Sequence, residues 1–194
     1  MTASNYLQEF GKILDRIEVK SSTFGESSLN VAINYVIKKI FSNSRGCNGQ
    51  LIVIGNGGSA AIAMHALADY ANAGGLRTMD LMNPALITCT ANDYGYEEVF
   101  AKTIERLARK EDILFAISSS GQSPNILKAC GAAKFRECFI VTFSGFDSNN
   151  PLRKLGNMNF YVPSNHYGFV ELAHQTLLHC ILDIFLKRMF EYNF

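Results

Sequence analysis

The sequence predicts an α/β fold, a three-layer αβα sandwich with a five-stranded parallel sheet preceded by two N-terminal helices. Three observations predict it. From residue 51 onward, short runs of branched and aromatic residues alternate with helix-forming segments, the pattern of strands joined by crossover helices. Two of these runs end in loops of glycine, serine and asparagine that lead into a helix. The 194 residues are 48% hydrophobic and 18% charged, enough for one core and far from the composition of disorder. The chain 1–194 is therefore read as a single domain, with 1–46 a helical pair and 47–194 the αβα core.

Residues 4–21 place Leu7, Phe10, Ile13, Leu14 and Ile17 at helical spacing, and residues 25–43 do the same with Leu29, Val31, Ile33, Val36, Ile37 and Ile40. Two amphipathic helices ahead of the first strand exceed what a sheet needs for cover, so they are assigned to an oligomer interface. Leu51–Ile54 is the first strand, and Ser59–Ala73 an alanine-rich helix without internal glycine or proline. A short strand follows near Arg77–Met82, then a turn at Asn92-Asp93-Tyr94-Gly95 and a helix over Glu97–Arg109. Ile113–Ile117 is a buried strand. Ser123–Lys134 is a helix with Pro124 in its first turn, where a missing N–H costs nothing. Cys138–Phe143 and Asn159–Val162 are further strands, and a final helix runs from about Gly168 to Arg188.

The 18 basic and 17 acidic residues leave a net charge of +1, which gives no electrostatic case for nucleic acid or an anionic membrane. Polar residues interrupt every apolar run before it reaches bilayer length, and Met1 to Gly11 lacks a basic stretch followed by an apolar one. Five cysteines, Cys47, Cys89, Cys130, Cys138 and Cys180, are scattered, odd in number and free of any C-x-x-C pair. They read as reduced thiols of a cytosolic protein, mostly buried as small hydrophobes.

The chemistry sits in the two loops. Gly55-Asn56-Gly57-Gly58-Ser59 follows the first strand, and Ser118-Ser119-Ser120-Gly121-Gln122-Ser123 follows Ile113–Ile117. In a parallel sheet both lie at carboxyl strand ends, where open α/β sheets place ligands. Small residues let an anion approach the backbone, and the next helix N-terminus presents unpaired N–H groups. Four serine hydroxyls around Gly121 suit a phosphate monoester without requiring lysine. Together the loops predict a phosphorylated ligand. Gly55, Gly57 and Ala60 also fit G-x-G-x-x-A, near the dinucleotide fingerprint. Against that reading, Asp80 lies beyond the usual distance for a ribose-binding acid, and no substrate domain is evident. Two local alternatives are a glycine turn that only packs helix against strand, and Ser123 as an N-cap.

His65 and Asp69 stand at i and i+4 of one helix, and Glu171 and His179 stand eight apart on the last, about two turns. Together they form a two-plus-two set of nitrogen and oxygen ligands that zinc or another divalent ion would accept. The same groups suit proton transfer near neutral pH. His166 reads as a loop residue and His174 as a hydrogen-bonded helix residue. Asp93 reads either as an N-cap or as a partner for substrate hydroxyls at the mouth of the site.

These segments carry a resemblance. Through G-N-G-G-S at 55–59, A-M-H at 63–65, A-N-D-Y-G at 91–95, I-S-S-S-G-Q-S at 117–123 and H-Q-T-L-L-H ending at His179, the chain resembles the sugar isomerase (SIS) domain family. Within it, the chain is similar to the phosphoheptose (sedoheptulose 7-phosphate) isomerase branch over nearly its whole length. The resemblance implies the SIS fold, assembled as a homotetramer with sites between subunits. It implies phosphate binding by Ser118, Ser119, Ser120 and Ser123, and sugar contacts from Asn56, Gly57, Gly58, Asn92 and Asp93, with Ser59 in the same loop and Glu171 on the last helix. The family's metal set of His, Glu, Gln and His falls on His65, Asp69, Glu171 and His179, so two positions differ. The family's base falls on Asp69 and its acid on His179.

The implied reaction converts sedoheptulose 7-phosphate to D-glycero-D-manno-heptose 7-phosphate through an enediol, and would feed bacterial surface-polysaccharide synthesis. Aspartate is one methylene shorter than glutamate, and misplacement near 1 Å costs about 100-fold in rate. Glutamate for glutamine adds a negative charge beside the metal position. Two alternatives follow from these departures. One is a non-catalytic SIS module that binds a sugar phosphate or a protein partner. The other is an isomerase of a different sugar phosphate.

Overall fold

The computed structural model describes residues 2–46 and 48–191. The elements are, in chain order, α1 (Ala3–Leu14), β1 (Glu18–Ser21), β2 (Gly25–Ser27), α2 (Leu29–Gly46), β3 (Leu51–Ile54), α3 (Gly58–Asn72), β4 (Thr78–Met79), α4 (Pro84–Tyr94), α5 (Ala101–Leu107), β5 (Ile113–Ser118), α6 (Pro124–Phe135), β6 (Phe139–Ser144), β7 (Met158–Tyr161) and α7 (Tyr167–Glu191). Among the described residues, the strands form one seven-stranded sheet in the order β2-β1-β7-β6-β5-β3-β4. The five strands from β7 to β4 pair in parallel, while β1 pairs antiparallel with both β2 and β7.

Strand alternation sends successive side chains to opposite faces. Leu51, Val53, Ile113, Phe115 and Ile117 enter the core beneath α2, α3 and α7. Ile52, Ile54, Leu114 and Ala116 enter the core beneath α5 and α6. Both faces are covered, so β3 is apolar throughout and β5 is apolar up to Ser118, as buried parallel strands require. Asp112, 2% exposed, ties the entry points of two strands together: its carboxylate accepts from the Gln50 amide at 2.7 Å and the Arg109 amide at 2.8 Å.

The αβα architecture with five parallel strands matches the sequence expectation, and the N-terminal segment departs from it. Residues 4–21 do not form one helix. The chain leaves α1 after Leu14 and forms β1, where Val19 and Ser21 point inward while Glu18 and Lys20 point out. A period of two over four residues is masked when a helical pattern runs up to its edge. Gly25 at φ +74° turns the chain into β2, and the hairpin extends the sheet from five strands to seven. The second N-terminal helix is not surplus to the sheet either. Ile33, Val36, Ile37 and Ile40 of α2 are buried in the larger core.

Two further boundaries move. The expected turn at 92–95 is the last turn of α4, capped at its start by Asn83, whose side chain accepts from the Ala85 and Leu86 amides. Gly95 at φ +94° ends that helix, so Asp93 caps nothing downstream. A 3₁₀ turn at Tyr96–Glu98 then precedes α5, which is shorter than the helix expected over 97–109. The final helix also differs from expectation. By length and composition, α7 is long and apolar enough to cross a bilayer, although half of that window is buried inside the protein. Its Leu177, Leu178, Ile181, Leu182 and Phe185 are core residues, which accounts for the apolar composition. Of the cysteines, Cys130 and Cys138 are buried, Cys180 is half-buried and Cys89 is exposed, while Cys47 lies outside the described residues.

Candidate active site

From β3 the chain moves outward to β4, then crosses back to place β5 on the other side of β3 and continues through β6 to β7. The strand order therefore reverses between β3 and β5. Loops leaving the two central strands at such a reversal diverge to opposite faces and open a crevice, the place where doubly wound sheets hold ligands. Here they are the glycine loop after β3 and the serine loop after β5, which are hydrogen-bonded neighbours with Ile54 opposite Ala116.

A pocket of about 250 Å³ lies between them. Asn56, Gly57, Gly58, Ser59, Ser118, Ser119, Ser120 and Ser123 line it, joined by Ile117, Tyr167 and Glu171. Gly57 holds φ +53° at the N-terminus of α3, a conformation that disfavours a Cβ. Gly55 packs against Ser59: a Cβ there would meet the Ser59 backbone at 2.5 Å. Asn56 is held by a reciprocal amide pair with the buried Asn125, its nitrogen donating at 2.9 Å and its oxygen accepting at 2.8 Å. That oxygen also accepts from the Tyr96 hydroxyl at 3.1 Å.

In the serine loop, Gly121 at φ +64° lies against Asn150, whose Oδ1 would be 2.0 Å from a Cβ. Ser123 occupies the N-cap position of α6 without a side-chain capping bond. Its hydroxyl pairs with that of Ser118 at 3.1 Å instead. The Ser119 hydroxyl is buried and has no hydrogen-bond partner among the described residues. A buried hydroxyl without a partner costs about 1–3 kcal/mol, so the loop holds a donor that a phosphate oxygen would satisfy.

A second cluster lies further along α3 and α7. The His65 Nε2 is 3.2 Å from the Asp69 Oδ2, and the His179 Nδ1 is 3.7 Å from the same oxygen. Ligand atoms of His65, Asp69 and His179 all lie within 4.8 Å of one another, which two imidazoles and one carboxylate need in order to share a divalent ion. Within one subunit the expected fourth member stands apart. Glu171 is not in this group. Its carboxylate lies against Gly58, where a Cβ would be 2.5 Å from Oε1, and it belongs to the loop pocket. Gln175 takes the place beside His179, with its side-chain nitrogen 2.8 Å from the ring Nε2. Glu171 and Gln175 sit eight and four residues before His179, and a helix presents residues at both spacings to nearly the same stripe.

Asn92 and Asp93 do not line the pocket. Both are exposed at the end of α4, where the Asn92 side chain donates to the Asp93 carboxylate at 3.0 Å and the Cys89 thiol lies 3.7 Å from it. Sequence reasoning missed Tyr96, Asn125, Tyr167 and Gln175. Only Gln175 carried a signal, its i, i+4 spacing to His179. The others reach the site through loop and helix packing that no local spacing encodes.

The SIS domain model matches residues 5–145. A phosphoheptose isomerase of Helicobacter hepaticus is 37% identical over 142 residues, covering 70% of this chain and 72% of that protein. One from Syntrophotalea carbinolica is 30% identical over 191 residues, covering 95% of this chain and 92% of that protein. The solved structure of a phosphoheptose isomerase from Francisella tularensis superposes with a TM-score of 0.81 at 27% identity, over 96% of this chain and 100% of that one. The chain belongs to the SIS domain family and, within it, to the phosphoheptose isomerases.

Proposed function

We propose that the protein is an aldose–ketose isomerase that converts sedoheptulose 7-phosphate to D-glycero-D-manno-heptose 7-phosphate. The observation that carries this reading is the pocket at the strand reversal, where serine hydroxyls and two helix N-termini converge and the buried Ser119 hydroxyl lacks a partner. Phosphate oxygens accept from Ser118, Ser119, Ser120 and Ser123. The sugar lies along Asn56, Gly57, Gly58 and Ser59.

Asp69 removes a proton from C1 of the ketose, and the C–H electron pair forms the C1=C2 bond of the enediol. His179 delivers a proton to O2. Return of a proton to C2, with loss of the O1 proton, gives the aldose. The residue set fits a divalent ion, zinc in this reading, held by His65, Asp69 and His179 with Gln175 adjacent. When bound, the ion polarises the sugar oxygens as a Lewis acid.

Assembly is part of the proposal. Asp69 lies eleven residues along α3 from Gly58, about 16 Å at the helical rise. Within one subunit the cluster shares no residue with the lining of the loop pocket. A homotetramer in which the histidine–aspartate cluster of one subunit serves the pocket of another closes this distance. In this reading residues 1–194 form a single SIS domain, residues 1–46 contribute to the subunit interface through exposed Leu7 and Val31, and the enzyme works in the cytoplasm.

Incubation with sedoheptulose 7-phosphate and zinc is expected to yield the aldose, with turnover falling at least 100-fold in Asp69→Ala and in His179→Ala. Sugar-phosphate binding without turnover of any phosphoketose, unchanged in both variants, would instead establish a binding module.

A further inference from the structure

Among residues 55–58, Asn56 alone carries a side chain, so it is the one handle by which the glycine loop can be held. Its neighbours are glycines, whose backbone loses the most freedom when it is fixed. Asn125 takes that handle from the second residue of α6, two positions after Ser123 of the serine loop. The two carboxamides close a ring: the Asn56 Nδ2 donates to the Asn125 Oδ1 at 2.9 Å, and the Asn125 Nδ2 donates to the Asn56 Oδ1 at 2.8 Å. Both amide orientations are fixed from outside the ring. The Ile126 N–H, which can only donate, meets the Asn125 Oδ1 at 3.0 Å, and the Tyr96 hydroxyl donates to the Asn56 Oδ1 at 3.1 Å. Asn125 is 2% exposed and does not line the loop pocket. All of these bonds lie within one subunit, so the tie holds whatever a neighbouring subunit brings to the pocket.

The ring sets the distance between the two loops. A phosphosugar anchored at the serine hydroxyls lays its body against the glycine loop. A loop already held in place need not be ordered at the moment of binding, and that ordering would otherwise subtract from affinity. We propose that Asn125 is a positioning residue that ties the glycine loop to the phosphate-binding loop. Through it, a ligand carrying both a phosphate and a hydroxylated chain gains from engaging the two loops at once. Phosphate alone, which meets only the serine loop, gains nothing from the tie. The inference rests on the phosphosugar reading for its ligand class, but it does not depend on turnover.

Calorimetric titration with inorganic phosphate and with heptitol 7-phosphate, a reduced sugar that cannot isomerise, tests it. The parent protein is expected to bind the heptitol phosphate at least tenfold more tightly than phosphate. In Asn125→Leu, which keeps the side-chain shape and removes both hydrogen bonds, that ratio should fall at least fivefold, while the affinity for phosphate stays within about threefold. Asn125→Ala should lower the ratio equally, and it decides the matter where the leucine variant does not fold. With Asn56 already replaced by alanine, Asn125→Leu should leave the ratio unchanged. Equal loss of affinity for both ligands would mean that Asn125 merely supports the serine loop, and it overturns the proposal. An unchanged ratio in a folded variant overturns it as well, as does a parent protein that binds the two ligands alike. The expected fall in ratio, in a protein that forms no aldose from sedoheptulose 7-phosphate, upholds the inference and defeats the isomerase reading, so the two fail separately.

Discussion

His174 is fully buried within α7, and its Nε2 lies 3.2 Å from the Ser144 carbonyl oxygen. The pair is a hydrogen bond when Nε2 carries the proton, and Nδ1 then faces the interior without a partner. Burial opposes the charged ring and brings its pKa down to about 4 from the ordinary 6.5, with the Ser144 contact opposing the shift. Between those values the unfolded chain binds a proton that the folded chain does not. The stability linked to His174 is therefore complete above pH 6.5, declines as pH falls, and is lost by about pH 4. Its full size is about 3 kcal/mol. Urea unfolding from pH 7 to pH 5 should show stability falling with pH, and His174→Gln should flatten that slope. An equally steep slope in the variant would show that other groups carry it. His174 was legible from the sequence as a hydrogen-bonded helix residue. Its complete burial was not, because α7 presents polar residues to one neighbour and apolar residues to another along the same stretch.

At the scale of elements, the serine loop depends on a contact with a distant turn. Gly121 holds a positive φ directly against Asn150, and the buried Asn150 side chain donates to the carbonyls of Gly145 and Asp147 at 3.1 and 2.8 Å. A methyl group at position 121 cannot coexist with Asn150 in place and is strained by the backbone angle as well. Gly121→Ala is expected to lower stability by about 2 kcal/mol. It should also weaken phosphate binding at least tenfold, since the loop that presents Ser118–Ser123 must shift. Thermal unfolding and phosphate titration measure the two effects. Retention of phosphate affinity would show that the loop adapts. The loop itself was readable because strand, small residues and helix follow one another locally. Its dependence on Asn150 was not, because that contact joins segments twenty-nine residues apart. The same limit explains the N-terminal hairpin: β1 is a strand because β7 offers an edge to pair with, and nothing within residues 18–21 announces that edge.

For the molecule as a whole, the separation between the loop pocket and the His65–Asp69–His179 cluster yields a prediction about assembly. If one subunit's cluster serves another's pocket, two inactive variants complement each other. A variant lacking the serine hydroxyls at 118, 119 and 123 and a second carrying Asp69→Ala should each lack turnover. Mixed by denaturation and refolding together, they should recover roughly a quarter of parental activity or less, because some mixed sites combine an intact pocket with an intact cluster. No recovery, with mixed oligomers verified by mass, would mean that each subunit completes its own site.

Locally, the sequence determined the alternation of strands and helices, the two small-residue loops, and the helical pairing of His65 with Asp69. Each follows from spacing within a few residues, where backbone geometry alone relates side chains. The tertiary structure decided what those features are near. It set the glycine and serine loops side by side at the reversal between β3 and β5, since only strand order makes neighbours of segments sixty residues apart. Within one subunit it also set Glu171 beside the glycine loop and apart from His65, Asp69 and His179. Helix periodicity places Glu171, Gln175 and His179 on one stripe, and only the way α7 packs beside α3 decides which of them meets Asp69 and which meets Gly58.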